Sequence, residues 1–310
     1  MQTILGSNGI IGSLLAKELA SNWTTDLKLV SRNPQKVNKG DVLFSADLLD
    51  LEQTTKALEN TKIAYLTAGL AYSSEIWLEE WPLIMKNVIR ACEIHGVKLV
   101  YFDNTYAYDQ NISIQTEESP LRPSGKKGLA KKQAFELLNN ALIQSKIEAV
   151  ICRAPEFYGP GKTKGITNTL IFEALKKNKK ASVLLNDKSL RTLIFTPDAA
   201  RSVALIGNTP DTFGEVWHLP CDDNRLSYQT LIQEISEQLK RPIPYRILTS
   251  FVLKTSALFN SNIRETSELL PRYKNDNIFE SKKFKNRFPQ FQTTSYPNGI
   301  KQIIEDFNLS

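Results

Sequence analysis

Gln2-Thr3-Ile4-Leu5-Gly6-Ser7-Asn8-Gly9-Ile10-Ile11-Gly12 opens the chain, and the order of its parts decides the fold. A short apolar strand runs directly into glycines at 6, 9 and 12, and apolar positions at Leu14, Leu15 and Leu19 continue as a helix. Gly6 permits a tight turn, Gly9 lets the backbone approach a pyrophosphate, and Gly12 lets the helix pack closely on the strand. The free N–H groups and positive end of such a helix hold phosphate. The stretch therefore predicts a dinucleotide site, with Asn8, Ile10 and Ile11 beside the three glycines.

Working outward, strand-like segments at 27–30, 42–44, 63–67, 98–102 and 148–152 alternate with helical patterns at 81–95, which ends at Gly96, and at 128–145. This repetition predicts an α/β protein with a doubly wound parallel sheet, a Rossmann core. From Phe157 onward the regularity breaks, leaving isolated elements such as a strand over 192–195 and a helix over 227–239. No linker-like tract separates the halves, so the expected organisation is a dinucleotide-binding core over 1–156, with 190–220 returning to it. A smaller, interwoven C-terminal substrate lobe would comprise 157–189 and 221–310.

The 310 residues carry 39 basic and 33 acidic side chains, a net charge of +6. That balance suits an anionic small molecule and falls short of a nucleic-acid-binding signature. Cys92, Cys152 and Cys221 lie in or beside apolar segments without metal-ligand spacing, so they read as reduced core thiols, and no metal is expected. With a strand starting at residue 2 and no run of eighteen apolar residues, neither a signal peptide nor a membrane partner is expected. The reading is a soluble cytoplasmic protein.

The end of the second strand bears on the nucleotide. A carboxylate there would hold the adenosine ribose of NAD. The chain has Val30-Ser31-Arg32-Asn33 instead. A guanidinium and a hydroxyl suit a 2′-phosphate, which a carboxylate would repel. Ser31 and Arg32 therefore predict NADP, with NAD the less favoured cofactor.

With these features assembled, the chain resembles the extended short-chain dehydrogenase/reductase superfamily, in its NAD(P)-dependent epimerase/dehydratase-like branch. Asp47-Leu48 is similar to the family's adenine-contacting Asp-Leu step, and Thr67-Ala68-Gly69 stands where the family wraps the cofactor. Arg153-Ala154-Pro155-Glu156-Phe157-Tyr158-Gly159-Pro160 looks like its Arg-x-x-Asn-x-Tyr-Gly-Pro segment. Arg191, Phe195 and Asp198-Ala199-Ala200 look like its Arg-Asp-Phe-x-His-x-x-Asp-x-Ala segment. The resemblance covers residues 1–240 and implies that Asp47, Leu48, Ala68, Gly69, Asn104, Lys132 and Pro155 join the cofactor site. Arg191 would bind a substrate diphosphate, with Glu156 and Tyr158 nearby. It also implies a homodimer paired through the helices at 81–95 and 129–145, where Trp81, Ile84, Phe135, Leu138 and Leu142 exceed what one sheet face buries.

The family's proton-transfer machinery is a serine or threonine after the fifth strand, then Tyr-x-x-x-Lys on the next helix. Thr105 or Asn104 occupies the first position. Aligning Glu136 with the family's glutamate puts Lys132 at the lysine and Gly128 at the tyrosine, and no tyrosine lies between Tyr108 and Tyr158. Three readings stay open: a displaced phenol (Tyr106, Tyr108 or Tyr158), a desolvated Lys127 or Lys132, or a protein that binds NADP without efficient turnover. Glu156 likewise reads either as an acid/base group or as an ion-pair partner of Arg153 or Arg191. The implied function is an NADP-dependent oxidoreductase or epimerase acting on a secondary alcohol or ketone of a small metabolite such as a nucleotide sugar, with Thr105, Lys132 and Tyr108 as catalytic residues. The alternative is a non-catalytic NADP-binding regulatory protein.

Overall fold

The computed structural model describes residues 1–309. The chain divides into two compact units. The first comprises 1–107, 125–154 and 199–219, and the second 108–124, 155–198 and 220–310.

The first unit is built on a seven-stranded, all-parallel sheet. Its strands β1 (Gln2–Leu5), β2 (Leu27–Ser31), β3 (Val42–Ser45), β4 (Ile63–Leu66) and β5 (Lys98–Asn104) are joined by Ala149–Ala154 and Val216–His218. The spatial order runs β3-β2-β1-β4-β5, then Ala149–Ala154 and Val216–His218, so the order reverses between β1 and β4. In register, Leu5 lies opposite both Val30 and Leu66. Gly6, Ser31 and Thr67 therefore leave the sheet side by side at its carboxyl edge, where open α/β sheets bind ligands. The strands in the middle of the sheet are predominantly apolar, as burial on both faces requires.

Helices α1 (Ile10–Asn22), α2 (Leu51–Ala57), α3 (Ser74–His95) and α4 (Lys126–Ile143) flank this sheet. Apolar residues at helical spacing drive α3 and α4 onto one face, where Trp81, Ile84, Met85, Val88 and Leu138 meet Leu99 and Tyr101. Helix α3 begins at Ser74, a full two turns before the expected start, and continues through Pro82 to a left-handed Gly96. Ser73 stands at its N-terminal boundary and Glu75 is an acid in the first turn, and burial of Trp77, Trp81, Ile84 and Met85 along one face favours a helix that runs through the proline. Trp81, Ile84 and Leu138 are buried within the chain itself, and Phe135 and Leu142 are partly buried.

The second unit contains only paired short strands: Glu156–Tyr158 with Leu193–Phe195, Ala181–Leu184 with Tyr245–Leu248, and Ile114–Gln115 with Ile278–Phe279. Helices Tyr228–Gln238, Ser250–Phe259 and Tyr296–Phe307 accompany them. The first starts at a capping box formed by Ser227 and Thr230.

Packing in the first unit is tight where Gly207 meets Tyr65. A Cβ on Gly207 would stand 2.6 Å from the Tyr65 ring, whose hydroxyl donates to Gln2 and accepts from Asn208. Gly207→Ala is accordingly expected to destabilise the protein by about 1–3 kcal/mol, read as a lower urea midpoint at unchanged m-value. An unchanged midpoint would show that Tyr65 can move aside freely.

Candidate functional site

Gly6 holds a backbone angle of φ +90, and a Cβ there would lie 2.3 Å from the Ala68 Cα. Only glycine accepts both the angle and the contact. A Cβ at Gly12 would come within 2.7 Å of the Gly6 carbonyl oxygen. The turn is thus fixed by close approach of the β1–α1 loop to the segment after β4. Helix α1 starts at Gly9 with no capping side chain and no acid in its first turn, which leaves its N–H groups for an anion. Ile11 is buried and Ile10 half-buried beside it. Asn8 ties this turn to the loop after β2, donating to the Asn33 carbonyl at 2.7 Å and accepting from the Gln35 N–H at 3.3 Å.

Beyond β2, Arg32 is exposed, and the Ser31 hydroxyl oxygen is buried without a hydrogen-bond partner. An orphaned hydroxyl beside a free guanidinium fits the phosphate end of a dinucleotide. Asp47 is half-buried and its carboxylate caps the Leu49 N–H at 3.1 Å, while Leu48 sits in the core. Ala68 packs against Gly6, and Gly69 is exposed with open space around it. Gly6, Asn8, Gly9, Gly12, Ser31, Arg32 and Ala68 thus converge at one edge, and these residues fit a dinucleotide.

The segments that follow β4 and β5 bring aromatic groups together at the same edge. The Tyr72 and Tyr106 hydroxyls are 3.3 Å apart, and Trp77 stacks on Tyr106 with centroids separated by 5.3 Å. Lys127, in the first turn of α4, lies 4.5 Å from the Tyr72 ring centroid, and its Nζ donates to the Ser74 hydroxyl at 3.1 Å. Asn104 accepts the Tyr106 N–H at 3.0 Å, and Thr105 is buried next to it.

Helix α4 corrects the sequence alignment by one residue. Lys132 lies half-exposed, with its amine 3.7 Å from Glu136, four residues on. Lys131 turns inward instead, in line with the buried stripe of Lys127, Ala130, Ala134, Leu138 and Ala141. Its Nζ pairs with Asp103 at 2.9 Å, hydrogen-bonds the Tyr101 hydroxyl and stands 3.8 Å over Trp81. The face of α4 turned to the sheet therefore carries Lys127 and Lys131, four residues apart. The apolar stripe was the available signal; the match to Glu136 obscured it.

Arg153 completes this buried group, with Nε and Nη2 each 3.1 Å from Asp103 Oδ2. Burial pushes the Asp103 carboxyl up, but Lys131 and Arg153 outweigh it and hold its pKa below the usual carboxylate value. Burial moves the Lys131 ammonium the other way, below its ordinary value, against the pull of Asp103.

The remaining expected residues lie in the second unit. Pro155, Tyr108 and Tyr158 are buried, and burial pushes the Tyr158 phenol well above its usual pKa. Tyr158 packs on Phe195 and Tyr296, so closely against Gly299 that a Cβ there would lie 2.5 Å from its hydroxyl. Both phenols belong to the packed interior of the second unit. Glu156 accepts from the Thr167 N–H (2.8 Å) and hydroxyl (2.7 Å) and from the Tyr273 hydroxyl (2.9 Å), and faces Arg191 at 3.5 Å. Arg191 also donates to the Arg272 carbonyl at 3.0 Å and lies 4.0 Å from the Tyr273 ring. Its guanidinium is only 3% exposed. Glu156 thus stands here as an ion-pair partner of Arg191, whose Nε stays buried without a hydrogen-bond partner.

Comparison with known proteins bears on the family and the fold. The model of the NAD dependent epimerase/dehydratase family matches residues 3–219. No curated protein sequence matches the chain. Among solved structures, UDP-glucuronic acid 4-epimerase from Bacillus cereus in complex with NAD is similar at 16% identity and TM-score 0.80, with 99% of each chain covered. UDP-glucose 4-epimerase from Thermus thermophilus in complex with NAD is similar at 16% identity and TM-score 0.77, again with 99% of each chain covered. The Bordetella bronchiseptica enzyme WbmH in complex with NAD+ gives 16% identity and TM-score 0.73 over 99% of this chain and 98% of that one. At these identities the likeness establishes the fold.

The buried Lys131–Asp103–Arg153 group generates a prediction. Asp103→Asn would leave two buried cations unpaired and is expected to destabilise the protein by about 3–5 kcal/mol. Because folding lowers the Asp103 pKa, its contribution is complete above the unfolded value of about 3.9. It is lost as pH falls through the lower folded value. Urea midpoints measured against pH should fall steeply on the acid side for the natural protein and less so for Asp103→Asn. Parallel curves would show that Asp103 is not the group titrating.

Proposed function

The chain belongs to the NAD dependent epimerase/dehydratase family, and within it we propose an NADP-dependent oxidoreductase or epimerase acting on a secondary alcohol or ketone of a small metabolite. The observation that carries this reading is the convergence of Tyr106, Tyr72 and Lys127 beside Asn104, at the same sheet edge as the glycine turn. Of the candidate proton-transfer groups, Tyr106 and Lys127 lie in this cluster, while Tyr108 and Tyr158 are core residues and Lys132 faces Glu136.

A bound nicotinamide supplies a hydride donor or acceptor. The chain's own groups handle the proton. Tyr106 exchanges it with the substrate oxygen, Tyr72 extends the hydrogen-bonded path, and Lys127 packs over the Tyr72 ring. Asn104 fixes the backbone from which Tyr106 projects. Lys131, one turn beyond Lys127, holds α4 against β5 through Asp103.

Arg32 and the orphaned Ser31 hydroxyl support NADP over NAD. The similar solved structures hold NAD, which makes the cofactor pair the first measurement. Calorimetry is expected to show tighter binding of NADP, and Arg32→Ala should weaken NADP alone, by roughly tenfold to a hundredfold. Tighter NAD binding that is indifferent to Arg32→Ala would reverse the assignment.

Arg191 is paired to Glu156 while its Nε stays unpartnered, so simple hydroxy and keto metabolites belong beside UDP-sugars in a screen. NADPH consumption and NADP reduction across such a panel should reveal net redox turnover, and NMR of the recovered sugars or hydroxy compounds should reveal epimerisation, in which the cofactor is regenerated. Tyr106→Phe should then lower kcat by about 10²–10⁴-fold while leaving cofactor affinity intact. A protein that binds NADP yet transfers hydride to no member of the panel would be the non-catalytic NADP-binding protein. An active Tyr106→Phe would remove the phenol from the mechanism.

A further inference from the structure

The helix Ser250–Phe259 turns an apolar face to solvent. Phe251 is 76% exposed, Leu258 74% and Phe259 91%, with Val252 at 42%, while Leu253 alone points inward. At 100° per residue, Phe251, Val252, Thr255, Leu258 and Phe259 fall on one side, and Lys254 stands at its margin. Ile247, on the strand that leads into this helix, is also exposed. Large side chains standing this far out need cover, and a cluster of them marks an interaction surface.

Charge indicates what covers it. From Gln238 to Arg264 the chain carries Lys240, Arg241, Arg246, Lys254 and Arg264 and no aspartate or glutamate. Arg246 and Lys254 are exposed, with Arg246 held by the Ser182 hydroxyl at 3.1 Å. Two copies meeting through this face would oppose like charges. A projecting row of phenylalanine and leucine suits a fluid apolar medium. We infer that this helix lies in the surface of an anionic lipid bilayer, its aromatic side chains below the headgroups and its basic residues among them.

The sequence reading expected no membrane partner because no apolar run was long enough to span one. Among the described residues, no helix is long and apolar enough to cross a membrane. A helix lying in the interface is set by the arrangement of its faces, and a ten-residue helix of this kind escapes a search for spans.

The test is co-sedimentation of the full chain with vesicles of phosphatidylcholine alone and of phosphatidylcholine mixed with phosphatidylserine. Binding is expected only to the mixed vesicles, and to weaken as salt rises. Lys254→Gln should weaken it about fivefold, and the double variant Phe251→Ser, Phe259→Ser should abolish it. All three side chains are solvent-exposed, so thermal unfolding should be unchanged and serves as the folding control. No binding to the mixed vesicles, equal binding to both kinds, or undiminished binding by the double variant would overturn the inference. So would a dimer in solution that the double variant dissociates, because that outcome assigns the face to a second copy.

Discussion

Everything at the carboxyl edge of the sheet depends on a buried carboxylate, Asp103, shared by two cations. It sits at the end of β5, takes Arg153 from the neighbouring strand and Lys131 from α4, and so ties three elements together. Such a group is costly to bury and more costly to break. Its worth here is orientation. With Lys131 fixed inward, the helix has one allowed rotation, and Lys127 one turn earlier must face the same side. Two cations against one anion, with Lys127 close by, also leave this edge electropositive. That suits a site for an anionic cofactor.

A second constraint is steric. Gly6 and Ala68 approach until no Cβ could fit between them, so the cofactor turn and the segment leading to Tyr72 form one piece of backbone. The glycine turn and the segment that carries Tyr72 are therefore held in steric contact. Mobility in one would be felt in the other.

The sheet was legible because its signals are local: a glycine turn in the right frame and strands apolar enough to be buried on both faces. The cofactor edge followed for the same reason. The proposed reacting group was legible only in part: Tyr106 and Lys127 stood among several open candidates, and Tyr72 did not. Its parts, Tyr72, Tyr106 and Lys127, come from three separate segments, and only the fold brings them together. Lys131 and Lys132 are chemically identical in sequence, and the helical stripe, a packing property, separates them. Arg191 and Glu156 each matched or nearly matched a binding motif, yet their ion pair in the second unit uses both. A motif specifies residue types and says nothing of which partner a charge finds first.

The division of the chain has a consequence for how the protein is made. The first unit is left at Ala107, Ala154 and Leu219 and re-entered at Gly125 and Ala199, and its last strand, Val216–His218, pairs with Ala149–Ala154. On a ribosome, the sheet cannot acquire that edge until about two-thirds of the polypeptide has emerged. Until then Ala149–Ala154 presents an unpaired, largely apolar margin, the kind of surface that recruits chaperones or self-associates. Neither unit corresponds to a continuous stretch of the gene, so neither can be cut out and expressed as a fragment, and the two must be inherited and exchanged as one piece.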